Sequence, residues 1–160
     1  MVVGIRDLLE EAPRSFSGSV DLSGLRLWGE TPFPQPVAVE GSLFLRHGRV
    51  RVDYTVGYTL SGACARCLAP IRREGRAGFS HPVEEAPGED AAVIAAPNGQ
   101  LDLGELAGAD LLLTLDRPLL CKGDCKGLCP ACGADLNVTE CDCLGQKKVD
   151  PRFAALLDLL

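Results

Sequence analysis

Apolar residues recur at every second position between Val37 and Leu45, at Val37, Val39, Leu43 and Leu45. The alternation is cleaner from Arg49 to Leu60, where Val50, Val52, Tyr54, Val56, Tyr58 and Leu60 share one face. Arg49, Arg51, Asp53, Thr55 and Thr59 share the other. Successive side chains of a strand point to opposite sides, so the pattern predicts two strands of a sheet that is wet on one face. His47-Gly48 sits between the runs, where a tight hairpin turn falls. A third run, Ile71 to Ser80, follows a cysteine pair and is expected to return as another antiparallel strand, with Arg72 and Arg76 on one face.

The rest of the chain is less periodic. Residues 2 to 11 place Val3, Leu8 and Leu9 among Arg6, Asp7 and Glu10, the spacing of a short amphipathic helix stopped by Pro13. Pro82 to Gln100 is rich in Glu, Ala, Pro and Gly without a period and reads as a long loop. Leu101-Asp102-Leu103 suggests a short strand, and Gly104 to Leu115 a helix ended by Pro118. Asp150-Pro151-Arg152 opens a final apolar segment, and Asp at the N-cap with Pro next is a good helix start. The predicted architecture is α+β: an antiparallel β-sheet domain over residues 1–118 with few helices, then a cysteine-rich segment and terminal helix over 119–160 packed on the same unit.

Length and composition narrow this picture. The 160 residues, 46% apolar and 24% charged, suffice for one ordinary core but not two, and with 5% aromatics that core should be Val and Leu. A net charge of -6 excludes a uniformly basic nucleic-acid binder. The charge is segregated, however. Residues 46 to 76 hold seven arginines against Asp53 and Glu74, and residues 84 to 116 hold eight acids and no Lys or Arg. No apolar stretch is long enough to span a bilayer, and the first residues lack the pattern of a secretory signal, so a cytoplasmic location is expected. In that reducing compartment eight cysteines read as metal ligands rather than disulfides.

The cysteine spacing sharpens that reading. Cys64-Ala-Arg-Cys67 precedes the third strand; Cys121, Cys125, Cys129 and Cys132 follow the helix expected over Gly104 to Leu115, then Cys141 and Cys143. Two sulfurs separated by two residues can be aimed by one turn at one ion, with backbone amides left to bond the thiolates. Gly133 after Cys132 supplies the left-handed backbone that closes such a knuckle. The most compact partition pairs Cys129 and Cys132 with Cys141 and Cys143. Cys64 and Cys67 are then left to join Cys121 and Cys125, and such an ion would also fasten the C-terminal part to the sheet.

Two structural zinc ions are the expectation, with rubredoxin-like iron left open by spacing alone. A dithiol oxidoreductase would place its pair at the start of a helix in a βαβ unit, and both pairs here fall in turns. Catalytic zinc needs a coordination position for water, which four thiolates fill. His47 and His81 read as exposed turn histidines, and the acids of 84–116 as a solvated loop. No phosphate-binding glycine loop, nucleophile elbow or His-Glu-x-x-His is present. The expectation is a protein without catalysis.

Ala63-Cys64-Ala65-Arg66-Cys67-Leu68, after a long alternating strand, resembles the Cys-x-Arg-Cys hairpin of YceD-like proteins. Leu120-Cys121 and the run Cys125-Lys126-Gly127-Leu128-Cys129-Pro130 through Cys132-Gly133 resemble the form of that family with a cysteine-rich end. Asp135-Leu136-Asn137, Cys141-Asp142-Cys143 and Asp150-Pro151-Arg152 extend the likeness in the same order. The resemblance implies a factor supporting accumulation or processing of large-subunit ribosomal RNA, hence ribosome biogenesis, with no established enzymatic activity. Its implied partners are precursor ribosomal RNA, a pre-ribosomal particle or an RNA-processing protein. If RNA is contacted, Arg49, Arg51, Arg72, Arg76, Lys147 and Lys148 are the natural phosphate ligands, with an ordinary solvated face as the competing reading. A protein adaptor that docks a basic ribosomal or processing protein on the acidic segment is the alternative.

Overall fold

The structure, a computed structural model, describes residues 1–8, 12–27, 29–86, 92–115 and 118–145. Seven strands and one helix organise them. β1 (Val2–Gly4) pairs antiparallel with β7 (Gln100–Asp102) in a small two-stranded sheet. The main sheet has five strands in the order β2 (Arg14–Val20), β3 (Val37–Arg46), β4 (Arg49–Ala63), β5 (Pro70–Glu84) and β6 (Ile94–Ala95). Its first three strands are antiparallel, while β6 joins β5 in parallel. Helix α1 spans Leu103–Thr114. The protein is thus mostly antiparallel sheet with one α-helix among the described residues.

The alternating runs form the centre of that sheet. His47 and Gly48 both have positive φ, 52° and 72°, which closes β3 onto β4 with a two-residue turn whose twist matches the strands. Register then places Val39 opposite Val56 and Leu43 opposite Val52, all buried. Gly41 faces Tyr54, and a Cβ there would collide with the Tyr54 Cβ and the Asp53 carbonyl. A bare backbone at 41 is what admits the tyrosine. Leu101, Leu103, Leu106, Ala107 and Leu111 from β7 and α1 complete the core. Asp102 caps α1, its Oδ1 accepting from the amides of Gly104 at 2.7 Å and Glu105 at 3.3 Å.

Two local expectations fail. Val2–Gly4 is a strand rather than part of a helix, because pairing Val3 with Leu101 gives these β-branched residues a ladder that their helical spacing could not supply. The segment Pro82–Gln100 is only partly loop: β5 continues to Glu84, β6 follows, and Pro97–Gly99 makes a turn of 3₁₀ helix. The end of the expected first helix, residues 9–11, and the expected C-terminal helix from Asp150 lie outside the described residues, as do Lys147 and Lys148.

The chain divides into two compact units. Residues 1–62 and 71–117 form the sheet unit. The hairpin tip, 63–70, belongs with residues from 118 onward in a cysteine-rich unit. All eight cysteines fall in that second unit.

Candidate metal centres

The tip between β4 and β5 is a knuckle. The Cys64 amide donates to the Ala69 carbonyl and the Leu68 amide to the Cys64 carbonyl, both at 2.9 Å, so one turn presents the Cys64 and Cys67 sulfurs together. They meet Cys121 and Cys125, all four sulfurs lying within 4.8 Å of one another. Cys67 Sγ is 3.6 Å from Cys121 Sγ, and Cys64 Sγ is 3.8 Å from Cys125 Sγ. Tetrahedral zinc with Zn–S bonds of about 2.3 Å sets its sulfurs about 3.8 Å apart, so the spacing suits one ion.

Neighbouring groups hold this centre. Asn137 Nδ2 donates to Cys125 Sγ at 3.4 Å and to Asp135 Oδ1 at 2.7 Å, while its Oδ1 accepts the Lys126 amide at 2.9 Å. The Arg66 guanidinium donates to the Cys125 carbonyl at 2.8 Å, and Gly127, with φ of 77°, lets the chain pass close to the Arg66 carbonyl. The Cys67 amide, helped by those of Cys121 and Arg66, lowers the Cys64 thiol to about 6. Burial, with the adjoining sulfurs, pushes Cys121 up to about 12. Without a cation the four therefore hold a mixture of thiolate and thiol, and a divalent ion would draw the remaining protons off.

The second centre is built alike from local chain. Cys129 and Cys132 flank a turn in which the Gly133 amide donates to the Cys129 carbonyl at 2.8 Å, with Gly133 at φ of 76°. Cys141 and Cys143 return to it, all four sulfurs again within 4.8 Å. Cys132 Sγ lies 3.3 Å and Cys129 Sγ 3.5 Å from Cys141 Sγ. The Cys132 and Ala131 amides lower the Cys129 thiol to about 7. The eight sulfurs thus gather in two groups of four, and none is in a disulfide.

The knuckles differ at one backbone position. Where the second has Gly133, the first has Leu68 at φ of 61°, a left-handed conformation in which a Cβ crowds the carbonyl. Leu68 is 66% exposed, so little packing offsets that strain. Leu68→Gly should raise stability by about 0.5–1 kcal/mol, read as a higher denaturation midpoint in the metal-loaded protein. A lower midpoint would show that the leucine side chain holds the tip.

Outside the cysteines, sequence reasoning misplaces His81. It lies in β5, half-buried, with Nε2 2.7 Å from Asp110 Oδ2 of α1. Asp110, buried, also accepts the Tyr54 hydroxyl. Asp110 is 29 positions from His81 and 56 from Tyr54 along the chain, a separation that leaves no local signal. The arginines of the sheet are unevenly available. Arg51 donates to Ser80 Oγ at 2.7 Å, beside Asp53, and Arg76 pairs with Glu40. Arg49 and Arg72 are exposed. Among the described residues no helix is long and apolar enough to cross a membrane.

A largely antiparallel sheet with one helix, and a unit with two four-thiol groups that could hold metal ions, define a cysteine-rich α+β protein. Residues 52–160 match the family of the large ribosomal RNA subunit accumulation protein YceD. The chain belongs to that family. It is similar to the chloroplastic large ribosomal RNA subunit accumulation protein YCED homolog 1 of Zea mays, 31% identical over 178 residues covering 88% of this chain and 60% of the maize protein. An uncharacterized protein of Mycobacterium tuberculosis is 32% identical over 118 residues, 69% of this chain and 56% of that one. The chain therefore spans about 60% or less of these relatives' length. No solved structure is significantly similar to it.

Proposed function

We propose that the protein is a non-catalytic factor supporting accumulation of large-subunit ribosomal RNA, its cysteine-rich unit stabilised by two structural zinc ions. The carrying observation is the donor set: two groups of four thiols, with no carboxylate or imidazole in either group. Thiolates favour zinc among redox-inert ions, and four of them leave no position for an activated water. The ion would supply cross-linking; Cys64, Cys67, Cys121 and Cys125 would hold one and Cys129, Cys132, Cys141 and Cys143 the other. The ribosomal role follows the family and the name of the maize relative. Its test is the ratio of large- to small-subunit ribosomal RNA in cells depleted of the protein. A fall restored by the wild-type chain supports the reading, and an unchanged ratio sinks it.

Three acids of the 84–116 segment already have partners within the sheet unit. Glu85 is committed to a two-pronged pair with Arg6 at 2.7 and 2.8 Å, Asp102 caps α1, and Asp110 is buried. For direct RNA binding the exposed Arg49 and Arg72 carry the case; Arg51 and Arg76 contribute from within their pairs, and Lys147 and Lys148 complete the set. Reversing Arg49 and Arg72 to Glu should weaken binding to a precursor RNA fragment and flatten its salt dependence by about 0.7–0.9 in log–log slope for each phosphate no longer neutralised. Unchanged affinity and slope would move the interaction to a protein partner.

A further inference from the structure

The two centres differ in what a small oxidant can reach. Building on the zinc reading above, we propose that the centre of Cys129, Cys132, Cys141 and Cys143 is a peroxide-reactive site, where Cys132 and Cys141 close a disulfide and release the ion while the other centre keeps its own. In that other centre Cys64, Cys67 and Cys125 are buried, at 0%, 8% and 2% exposure, Cys121 is half-buried, and none is exposed. In the reactive one Cys132 is exposed and Cys141 and Cys143 are half-buried. Access to the sulfur governs reaction with hydroperoxides, so the oxidant meets Cys132 first.

Cys141 is the partner within reach. Its Sγ lies 3.3 Å from that of Cys132. Closing to a disulfide of about 2.05 Å takes a short movement at a turn that ends in left-handed Gly133. Cys125 of the other centre is held by Asn137 on its Sγ and Arg66 on its carbonyl, while Cys141 Sγ accepts the Cys143 amide at 3.4 Å from its own short segment.

The chemistry balances with one hydrogen peroxide. The Cys132 thiolate attacks a peroxide oxygen, the O–O bond breaks, hydroxide leaves, and Cys132 becomes a sulfenic acid. The Cys141 thiolate attacks that sulfur and expels a second hydroxide. Two thiolates are oxidised by two electrons, the peroxide is reduced, and solvent protons convert the hydroxides to water. Cys129 and Cys143 alone would be two ligands where a structural ion needs four, and would hold it only weakly.

The test uses the full chain with its metal content measured beforehand, titrated with hydrogen peroxide while a chromogenic chelator reports released zinc. Alkylation and peptide mass mapping then locate the disulfides. One ion should leave at least about tenfold faster than the other, together with a Cys132–Cys141 disulfide and unoxidised Cys64, Cys67, Cys121 and Cys125. A thiol reductant with added zinc should restore the lost ion. Simultaneous loss of both ions, earlier oxidation at the buried centre, or no release overturns the proposal. Fewer than two ions at the outset instead sinks the zinc reading, and this one with it.

Discussion

Chelation should unfold the cysteine-rich unit and leave the strands of the main sheet protected. Among the described residues of that unit, the buried apolar side chains are Cys64, Cys67, Cys125 and Cys129. Sulfur takes the place of an aliphatic core, and without an ion to gather it nothing offsets the chain entropy of ordering the segment. Each structural zinc contributes on the order of 10–16 kcal/mol at neutral pH, as much as the stability of an ordinary domain or more. Hydrogen exchange read by mass spectrometry, before and after chelation, separates the two units. Peptides from 118–145 should lose protection and regain it on adding zinc, while β3 and β4 change little. Retained protection at 118–145 would mean that metal is dispensable to this fold.

Asp110→Ala should destabilise the sheet unit by more than Asp110→Asn. The Tyr54 hydroxyl and His81 both meet that carboxylate, so its removal leaves a buried donor without an acceptor and breaks the polar tie between α1 and β4. Leaving a buried donor unsatisfied costs about 1–3 kcal/mol, or a fall in Tm of roughly 3–10 °C. Asp110→Asn, which keeps an acceptor for Tyr54, should cost less, about 1 kcal/mol or below. Equal effects from the two variants would show that packing rather than hydrogen bonding fixes α1. Burial, and then the Asp110 hydrogen bond, raise the Tyr54 hydroxyl above its ordinary range. The unfolded chain therefore ionises first, and stability falls as pH rises beyond about 10, an effect that Tyr54→Phe should remove.

The order in which these features can be read from sequence follows their range along the chain. β3, β4, β5 and α1 are legible because each is long enough to express its period and carries its own turn or cap. β1 and β6, three and two residues long, are too short to have one, and pairing partners far along the chain define them. In β2, Phe16, Gly18 and Val20 share one side, but a glycine and flanking serines leave its alternation too thin to recognise. The four cysteines from 129 to 143 group themselves by proximity, whereas Cys64 and Cys67 reach Cys121 and Cys125 only by elimination. The Tyr54, His81 and Asp110 cluster has no signal at all, since a buried polar network is visible only once the strands and the helix are in place.

Membership of the hairpin tip in the cysteine-rich unit also sets an order of assembly. Cys129 and Cys141 are 12 positions apart, Cys64 and Cys125 are 61. Loop closure for the longer span costs about 1–1.5 kcal/mol more, and its near half must first be presented by a finished β4–β5 turn. During refolding in scarce metal the local centre should fill first, and the distant one should follow only after the sheet has formed. A chain stalled between these steps would already have its last knuckle closed while Cys64 and Cys67 still waited for their partners.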